Sequence, residues 1–353
     1  MSKKMQDTVV VITGASSGIG RATALEFAKR GATIVVAGRS ESSLRDVVTA
    51  CRDAGGEALD FPTDVTNEEA VQRLALHAID HFHHVDVWVN AAAVTLFSRF
   101  GEEPPDAYRR VIETNLFGTI HAARAVLPYF REQGYGVMIN LASITARIPQ
   151  PYTSAYSLTK SGIASLSESL RQELSLDDAK DIHVCTVLPA TIDTPLFQHA
   201  ANYTGRSVQA MPPVYPAEAV ARAIVRCALH PKREVVVGGA GRLLSFMRVI
   251  APGWAERMMA QQVDKKHLTD QPAEPTWGNL FGALPALNDI SGGWLSPGKK
   301  GARRAATAGV AALIPAVVGW LWLRPRSARA SRRRLARQGR MARAGRGLLR
   351  RAA

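Results

Sequence analysis

The sequence predicts an α/β fold: a doubly wound, mostly parallel sheet of about seven strands, helices on both faces, and an irregular, partly helical C-terminal extension. Three observations lead there. Short β-branched runs alternate with helix-length segments up to about residue 240. Several of the runs are apolar on both faces, as buried parallel strands are. The first run passes directly into a glycine-rich turn that opens a helical segment.

Predicted strands occupy residues 8–13, 33–38, 58–62, 85–90, 137–142, 183–188 and 234–237. Predicted helices lie between them at 18–30, 41–54, 67–80, 106–131, 155–176 and 217–230. Right-handed crossovers put helices on both faces and ligands outside the strand C-termini. The expected organisation is a catalytic dinucleotide-binding domain over 1–241 and a wrapping extension over 242–298. An apolar segment at 299–323 and an Arg-rich end at 324–353 complete it. Within the extension, 242–262 is amphipathic but carries Pro252 and Gly253, and 270–298 is rich in Pro, Gly and Trp.

Charge is unevenly placed. Of 44 Lys and Arg, 16 fall in 299–353, where there is no Asp or Glu; residues 1–298 then hold 28 basic against 30 acidic side chains. The globular part is near neutral, and the net charge of +14 belongs to the tail. Three scattered cysteines, Cys51, Cys185 and Cys227, form no CxxC pair. They predict neither a disulfide framework nor a cysteine zinc site. No signal-peptide pattern opens the chain, so a cytoplasmic N-terminus is expected.

The first strand runs into Thr13-Gly14-Ala15-Ser16-Ser17-Gly18-Ile19-Gly20. Glycine lets backbone approach a pyrophosphate closely, and the helix N-terminus behind it offers free N–H groups and partial positive charge. Gly14, Ser16, Ser17, Gly18, Ile19 and Gly20 are therefore candidate cofactor-binding residues. Strand two ends at Gly38-Arg39 with no carboxylate to hold a ribose 2′-hydroxyl. Arg39 offers a guanidinium to a 2′-phosphate, or is a solvated loop charge. NADP(H) is the preferred cofactor on this reading and NAD(H) the alternative. Asp64-Val65, after strand three, stand where the adenine is expected, or in a surface turn.

Tyr156 and Lys160 are four residues apart and share one helix face. A free phenol titrates near ~10, so a base at neutral pH needs a cation beside it. Ser143 closes strand five, at the strand end where active groups gather in such sheets, and can hold a substrate oxygen beside Tyr156. Asn115 falls inside a predicted helix, where Asn competes for backbone hydrogen bonds. It marks a local bend or a water-holding kink.

The run TGASSGIG, Asp64-Val65-Thr66, VNAAA at 89–93, Asn115, Ser143, YSLTK at 156–160 and LPATIDTP at 188–195 resembles the short-chain dehydrogenase/reductase family in order and spacing. The resemblance covers roughly residues 6–240. It implies Tyr156 as general acid/base, Lys160 lowering its pKa and holding the nicotinamide ribose, Ser143 orienting the substrate oxygen, and Asn115 supporting a proton relay through water. It places Pro189, Ile192 and Thr194 at the nicotinamide carboxamide and Asn90 along the cofactor cleft, and it implies a dimer or tetramer. Two departures stand out. Asn90-Ala91-Ala92-Ala93 replaces the usual Asn-Asn-Ala-Gly, and Pro189-Ala190 replaces Pro-Gly. Altered loop detail is expected from both. Substrate-facing residues are expected to include Ser143, Thr145, Ile148, Pro149, Tyr152 and Tyr156, plus the irregular segment after Leu196.

No metal site is expected. His77 and His81 are four apart, but with His83 and His84 they read as a solvated helix end. Residues 305–323 carry no charge and are long enough, at ~28 Å, to match one hydrocarbon core. Twelve arginines follow, which disfavours carrying that end across a membrane. The segment is expected to span, re-enter or lie on the membrane, with the arginines on anionic headgroups. Nucleic acid is the less favoured partner. The resulting expectation is an NADP(H)-dependent oxidoreductase on the inner face of a membrane, acting on a lipophilic alcohol or carbonyl. A non-catalytic NADP(H) sensor or a tail-driven interaction protein is the alternative.

Overall fold

A computed structural model describes residues 5–295. Seven parallel strands form the central sheet: β1 (Val9–Thr13), β2 (Thr33–Gly38), β3 (Glu57–Pro62), β4 (Val87–Asn90), β5 (Gly136–Leu141), β6 (Ile182–Pro189) and β7 (Glu234–Val237). Their spatial order is β7-β6-β5-β4-β1-β2-β3. The direction of winding therefore reverses between β1 and β4, and a crevice opens beyond the strand ends there.

β1 shows why these runs become strands. All five residues are buried, and both neighbours are parallel partners, Val10 opposite Ile34 of β2 and Val87 of β4. Alternate side chains feed two cores. Val10, Ile12, Ile34, Val36 and Ile139 pack under α1 (Gly18–Ala28), α2 (Glu41–Asp53) and the later helix over Ala217–Leu229. Val9, Val11, Val35, Trp88 and Met138 pack under α3 (Glu68–Phe82) and the helices on the other face.

The helices begin and end where local chemistry says they should. Ser40 caps α2 by accepting from Ser43 N, and Asn67 caps α3 by accepting from Ala70 N at 2.9 Å. Glu68 and Glu69 in the first turn of α3 complement the helix dipole. The segment expected as one helix over 106–131 is three pieces: α4 (Pro105–Ile112), a π-helix (Glu113–Phe117) and α5 (Gly118–Gln133). Asn115 sits at the centre of the π-helix, so the bend anticipated from this residue is a π-bulge. The chain continues through α6 (Ser154–Leu176) and α7 (Ala217–Leu229).

The extension departs more from expectation. Pro252 divides the amphipathic stretch into α8 (Gly239–Ile250) and α9 (Pro252–Gln262), with Phe246, Val249 and Trp254 exposed. A second π-helix (Val263–His267) leads into a short strand, Leu268–Pro272, antiparallel to Arg206–Val208. Residues 276–294 then run back as a strap along the strand ends. Trp294 donates to Asp193 Oδ1 at 2.8 Å and Thr194 O at 3.1 Å, and Ser291 donates to Asp193 Oδ2 at 2.7 Å.

The three cysteines are free and buried. The expected membrane segment and Arg-rich end lie outside the described residues. Among the described residues, no helix is long and apolar enough to cross a membrane.

Candidate active site

One large cavity opens at the crevice between β1 and β4. Its floor is the turn after β1. Gly14 (φ +69°) presses on the next loop so closely that a Cβ would lie 2.5 Å from the Ala92 backbone. At Gly20 a Cβ would meet the Gly14 carbonyl at 2.1 Å. Those two contacts demand glycine whatever the cavity binds. Ser17 at the start of α1 makes no side-chain cap, so its hydroxyl takes none of the N–H groups of the first turn.

The wall beyond β5 carries the reactive groups. Ser143 follows β5 and its Oγ accepts from Thr145 N at 3.2 Å. Tyr156 and Lys160 stand on the first turns of α6. Lys160 is buried, donates to Leu141 O at 2.7 Å, and its Nζ lies 5.4 Å from the centre of the Tyr156 ring. Burial pushes the Tyr156 phenol up to about 12, with the Ser143 hydroxyl pulling it down. Burial pushes Lys160 down to about 7. Before any ligand binds, then, the phenol holds its proton at neutral pH and the amine is near its midpoint. Burial is the first cause of both shifts, and for Tyr156 it acts against the lowering that the resemblance implies.

At the opposite end, Asp64, Arg110 and Arg39 meet. Burial works to raise the Asp64 carboxyl. Hydrogen bonds from Thr66 and the Arg110 ion pair at 2.7 Å outweigh it and hold Asp64 below the usual carboxylate range. Arg39 is half-buried, not a solvated loop charge. Its guanidinium donates to Asn279 O at 2.6 Å and Leu280 O at 3.1 Å, both on the strap. The strap also covers the turn: Gly18 N donates to Asp289 O at 2.9 Å and Arg21 to Asn288 O at 2.8 Å.

Gly14, Ser16, Ser17, Gly18, Ile19, Gly20, Arg39, Asp64, Val65, Ser143, Thr145, Tyr156, Lys160, Pro189, Ile192 and Thr194 all line this one cavity. Five anticipated residues do not: Asn90, Asn115, Ile148, Pro149 and Tyr152. Asn90 is tucked into the sheet beneath, accepting from Trp88 Nε1 at 3.0 Å and donating to Asn140 Oδ1 at 2.8 Å. Asn115 is spent on scaffolding: it accepts from Val94 N, and its amide donates to Val94 O and Thr159 Oγ1. Both amide protons are used, so its side chain holds the Val94 loop against α6. Ile148 and Pro149 are not at the cavity, and Tyr152 turns away to donate to Asp264 at 3.0 Å. Neither is the histidine group: His77 stacks near Phe61, and His84 contacts Phe82 O, Asp7 O and Asp86.

Phe197 and His199, from the segment expected after Leu196, line the cavity, and residues that the sequence did not single out complete the walls: Phe97, Thr114, Gln150, Thr153, His267 and Asn279. Most belong to loops and to the extension, where no periodicity identifies them. Buried polar atoms without a partner include Thr114 Oγ1, Thr145 Oγ1, Thr153 Oγ1, His199 Nε2 and Asn279 Oδ1, and all five residues line the cavity. Unpaired groups of this kind cost about 1–3 kcal/mol each. A nicotinamide dinucleotide fits the donors along the glycine turn and the polar wall.

A doubly wound sheet with these groups at its switch point defines an α/β oxidoreductase that uses a dinucleotide. Residues 8–203 match the family described as short chain dehydrogenase. An uncharacterized oxidoreductase, YxnA, of Bacillus subtilis is 33% identical over 298 residues, covering 83% of each chain. The 11-beta-hydroxysteroid dehydrogenase A of Sesamum indicum is 32% identical over 73% of this chain and 77% of its own. Dehydrogenase/reductase SDR family member 7B of Danio rerio is 30% identical over 74% and 87%. The chain belongs to the short-chain dehydrogenase/reductase family.

The strap carries a prediction of its own. A Cβ on Gly278 (φ +51°) would lie 2.2 Å from the His199 carbonyl. Gly278→Val should therefore lift the strap. Exchange of the Asn279 and Trp294 amides, bonded to His199 O and Asp193 Oδ1, should then quicken by about tenfold to hundredfold. Amides of β1 and β4 should not change. Unaltered protection at Asn279 and Trp294 would show that the strap is not seated through Gly278.

Proposed function

We propose that the protein transfers a hydride between NADP(H) and the carbinol or carbonyl carbon of a lipophilic substrate, with Tyr156 exchanging the oxygen-bound proton. The observation that carries this reading is the meeting of Tyr156, Ser143 and Lys160 in one cavity with the glycine turn. When bound, the nicotinamide supplies or accepts the hydride. Everything else falls to the chain. In reduction, the Ser143 hydroxyl hydrogen-bonds the substrate oxygen, and the Tyr156 phenol gives that oxygen its proton as the carbon–oxygen π bond is lost. A phenol protonated at neutral pH suits this direction. Oxidation needs the phenolate, which a positive charge beside the ring favours. The pH dependence follows from the sign: oxidation, which needs the phenolate, should quicken as pH rises toward 10.

NADP(H) is favoured over NAD(H) because β2 ends on Gly38 and Arg39 without a carboxylate. Arg39 already lines the cavity beside Asp64 and Arg110, and the Asn279 and Leu280 carbonyls are its present partners. Arg39→Ala should raise the KM for NADPH by about tenfold to hundredfold and leave that for NADH nearly unchanged. An equal effect on both would remove Arg39 from cofactor selection.

The apolar walls Val94, Phe97, Ile144, Leu196 and Phe197 support a lipophilic substrate. The sesame relative is named for a hydroxysteroid, so steroidal and similarly bulky ketones head the panel. Incubating the full chain with NADPH and these ketones should produce the alcohol with matching NADPH consumption. Tight NADPH binding with no turnover of any compound would instead favour a sensor.

A further inference from the structure

His267 lies in the extension, beyond the segment that matches the family. Yet it lines the same cavity as Tyr156. It is 4% exposed and held edge-on between two aromatic rings, with ring centres 5.0 Å away at Phe97 and 5.0 Å at Phe197. Its Nδ1 meets the Gln209 carbonyl at 2.5 Å, and Gln209 N donates back to the His267 carbonyl at 2.9 Å. A carbonyl only accepts, so Nδ1 carries the proton. Burial pushes the ring down to about 4, against the pull of those carbonyls, so it is neutral at physiological pH. Nε2 is then a bare acceptor. Among the described residues Nε2 has no hydrogen-bond partner, and its ring lines the cavity.

The threonine hydroxyls of the cavity differ from this ring. Thr145 and Thr153 can donate or accept, so they adapt to any oxygen. His267 in this tautomer can only accept. It is also rigid, because the Gln209 pair fixes its plane and the two phenylalanines fix its faces.

We propose that His267 Nε2 accepts a hydrogen bond from a hydroxyl on the substrate other than the reacting oxygen, so that the enzyme selects lipophilic ketones and alcohols bearing a second, remote hydroxyl. This rests on the hydride-transfer reading above and deepens it. A ketone without that hydroxyl leaves the acceptor dry and unpaired, which is how a buried polar group rejects a deoxy analogue.

The test compares matched pairs with the full chain and NADPH: a steroidal ketone bearing a hydroxyl at the far end of the ring system and its deoxy counterpart, and a bicyclic pair of shorter reach. For at least one pair, kcat/KM should favour the hydroxyketone by about tenfold to hundredfold. His267→Phe should bring that ratio close to one, with unchanged NADPH affinity and thermal unfolding reporting an intact fold. His267→Gln, whose amide oxygen also accepts, should restore part of it. Equal kcat/KM within every pair in the unaltered enzyme overturns the proposal without any variant. So does a preference that survives His267→Phe. Absence of turnover with all ketones strikes first at the proposed function, and takes this inference with it.

Discussion

Tyr156→Phe should lower kcat for ketone reduction at neutral pH by about a hundredfold to ten-thousandfold, the usual contribution of a positioned acid. The substitution keeps the ring and removes one oxygen. Packing around α6 and the ring contact with Lys160 at 5.4 Å are therefore preserved. NADPH affinity should change by less than about threefold, because the glycine turn and Arg39 are untouched. The loss should fall on kcat and kcat/KM together, the signature of a contact made only in the transition state. A variant that lost NADPH binding in parallel would instead assign Tyr156 to the cofactor site.

Lys160→Met should do two opposite things. It should cut alcohol oxidation by about a hundredfold or more, since the cation that favours the phenolate is gone. It should also make the ligand-free protein more stable near neutral pH. Burial lowers the Lys160 pKa from 10.5 to about 7. The unfolded chain thus binds a proton that the native chain resists between those values. Wild-type stability rises with pH across that window, and below pH 7 the penalty is fully present. Methionine carries none, so its advantage should be largest below pH 7 and vanish as pH approaches 10.5. The ceiling is about 5 kcal/mol, and losing the donor to Leu141 O returns about 1 kcal/mol or more of it. A net gain of about 2 kcal/mol or more is expected, read as several degrees in thermal unfolding at pH 6. A destabilised variant at that pH would mean that Lys160 is held charged in the native cleft by something other than the groups around it.

These two residues were legible in the sequence because their chemistry depends on local spacing: a Tyr and a Lys one helical turn apart, after a strand ending in Ser. The glycine turn was legible for the same reason. The sheet was legible because both faces of its strands are buried, so hydrophobic runs mark them directly. What escaped was long-range. Asn90 and Asn115 were placed at the cleft by motif, but their partners, Asn140, Trp88, Val94 and Thr159, come from distant elements and draw them into the scaffold. Pattern showed that Asn115 disturbs a helix, but not that the disturbance is a π-bulge. A wrapping extension was legible over 242–298, but the strap's partners and the place of His267 were not. The strap and His267 reach the site through backbone carbonyls and one tautomer fixed by Gln209, and neither depends on a periodicity that a sequence displays.

The most direct test of the account is a single-turnover experiment on the purified full chain. The protein is loaded with one equivalent of NADPH, mixed with the hydroxylated steroidal ketone, and followed by nicotinamide absorbance and by product analysis. Alcohol should form in step with NADPH loss in the unaltered enzyme, and Tyr156→Phe should bind the same NADPH yet leave it unspent. NADPH consumed at equal rates by both proteins would contradict the central claim, because the proton would then come from somewhere other than Tyr156.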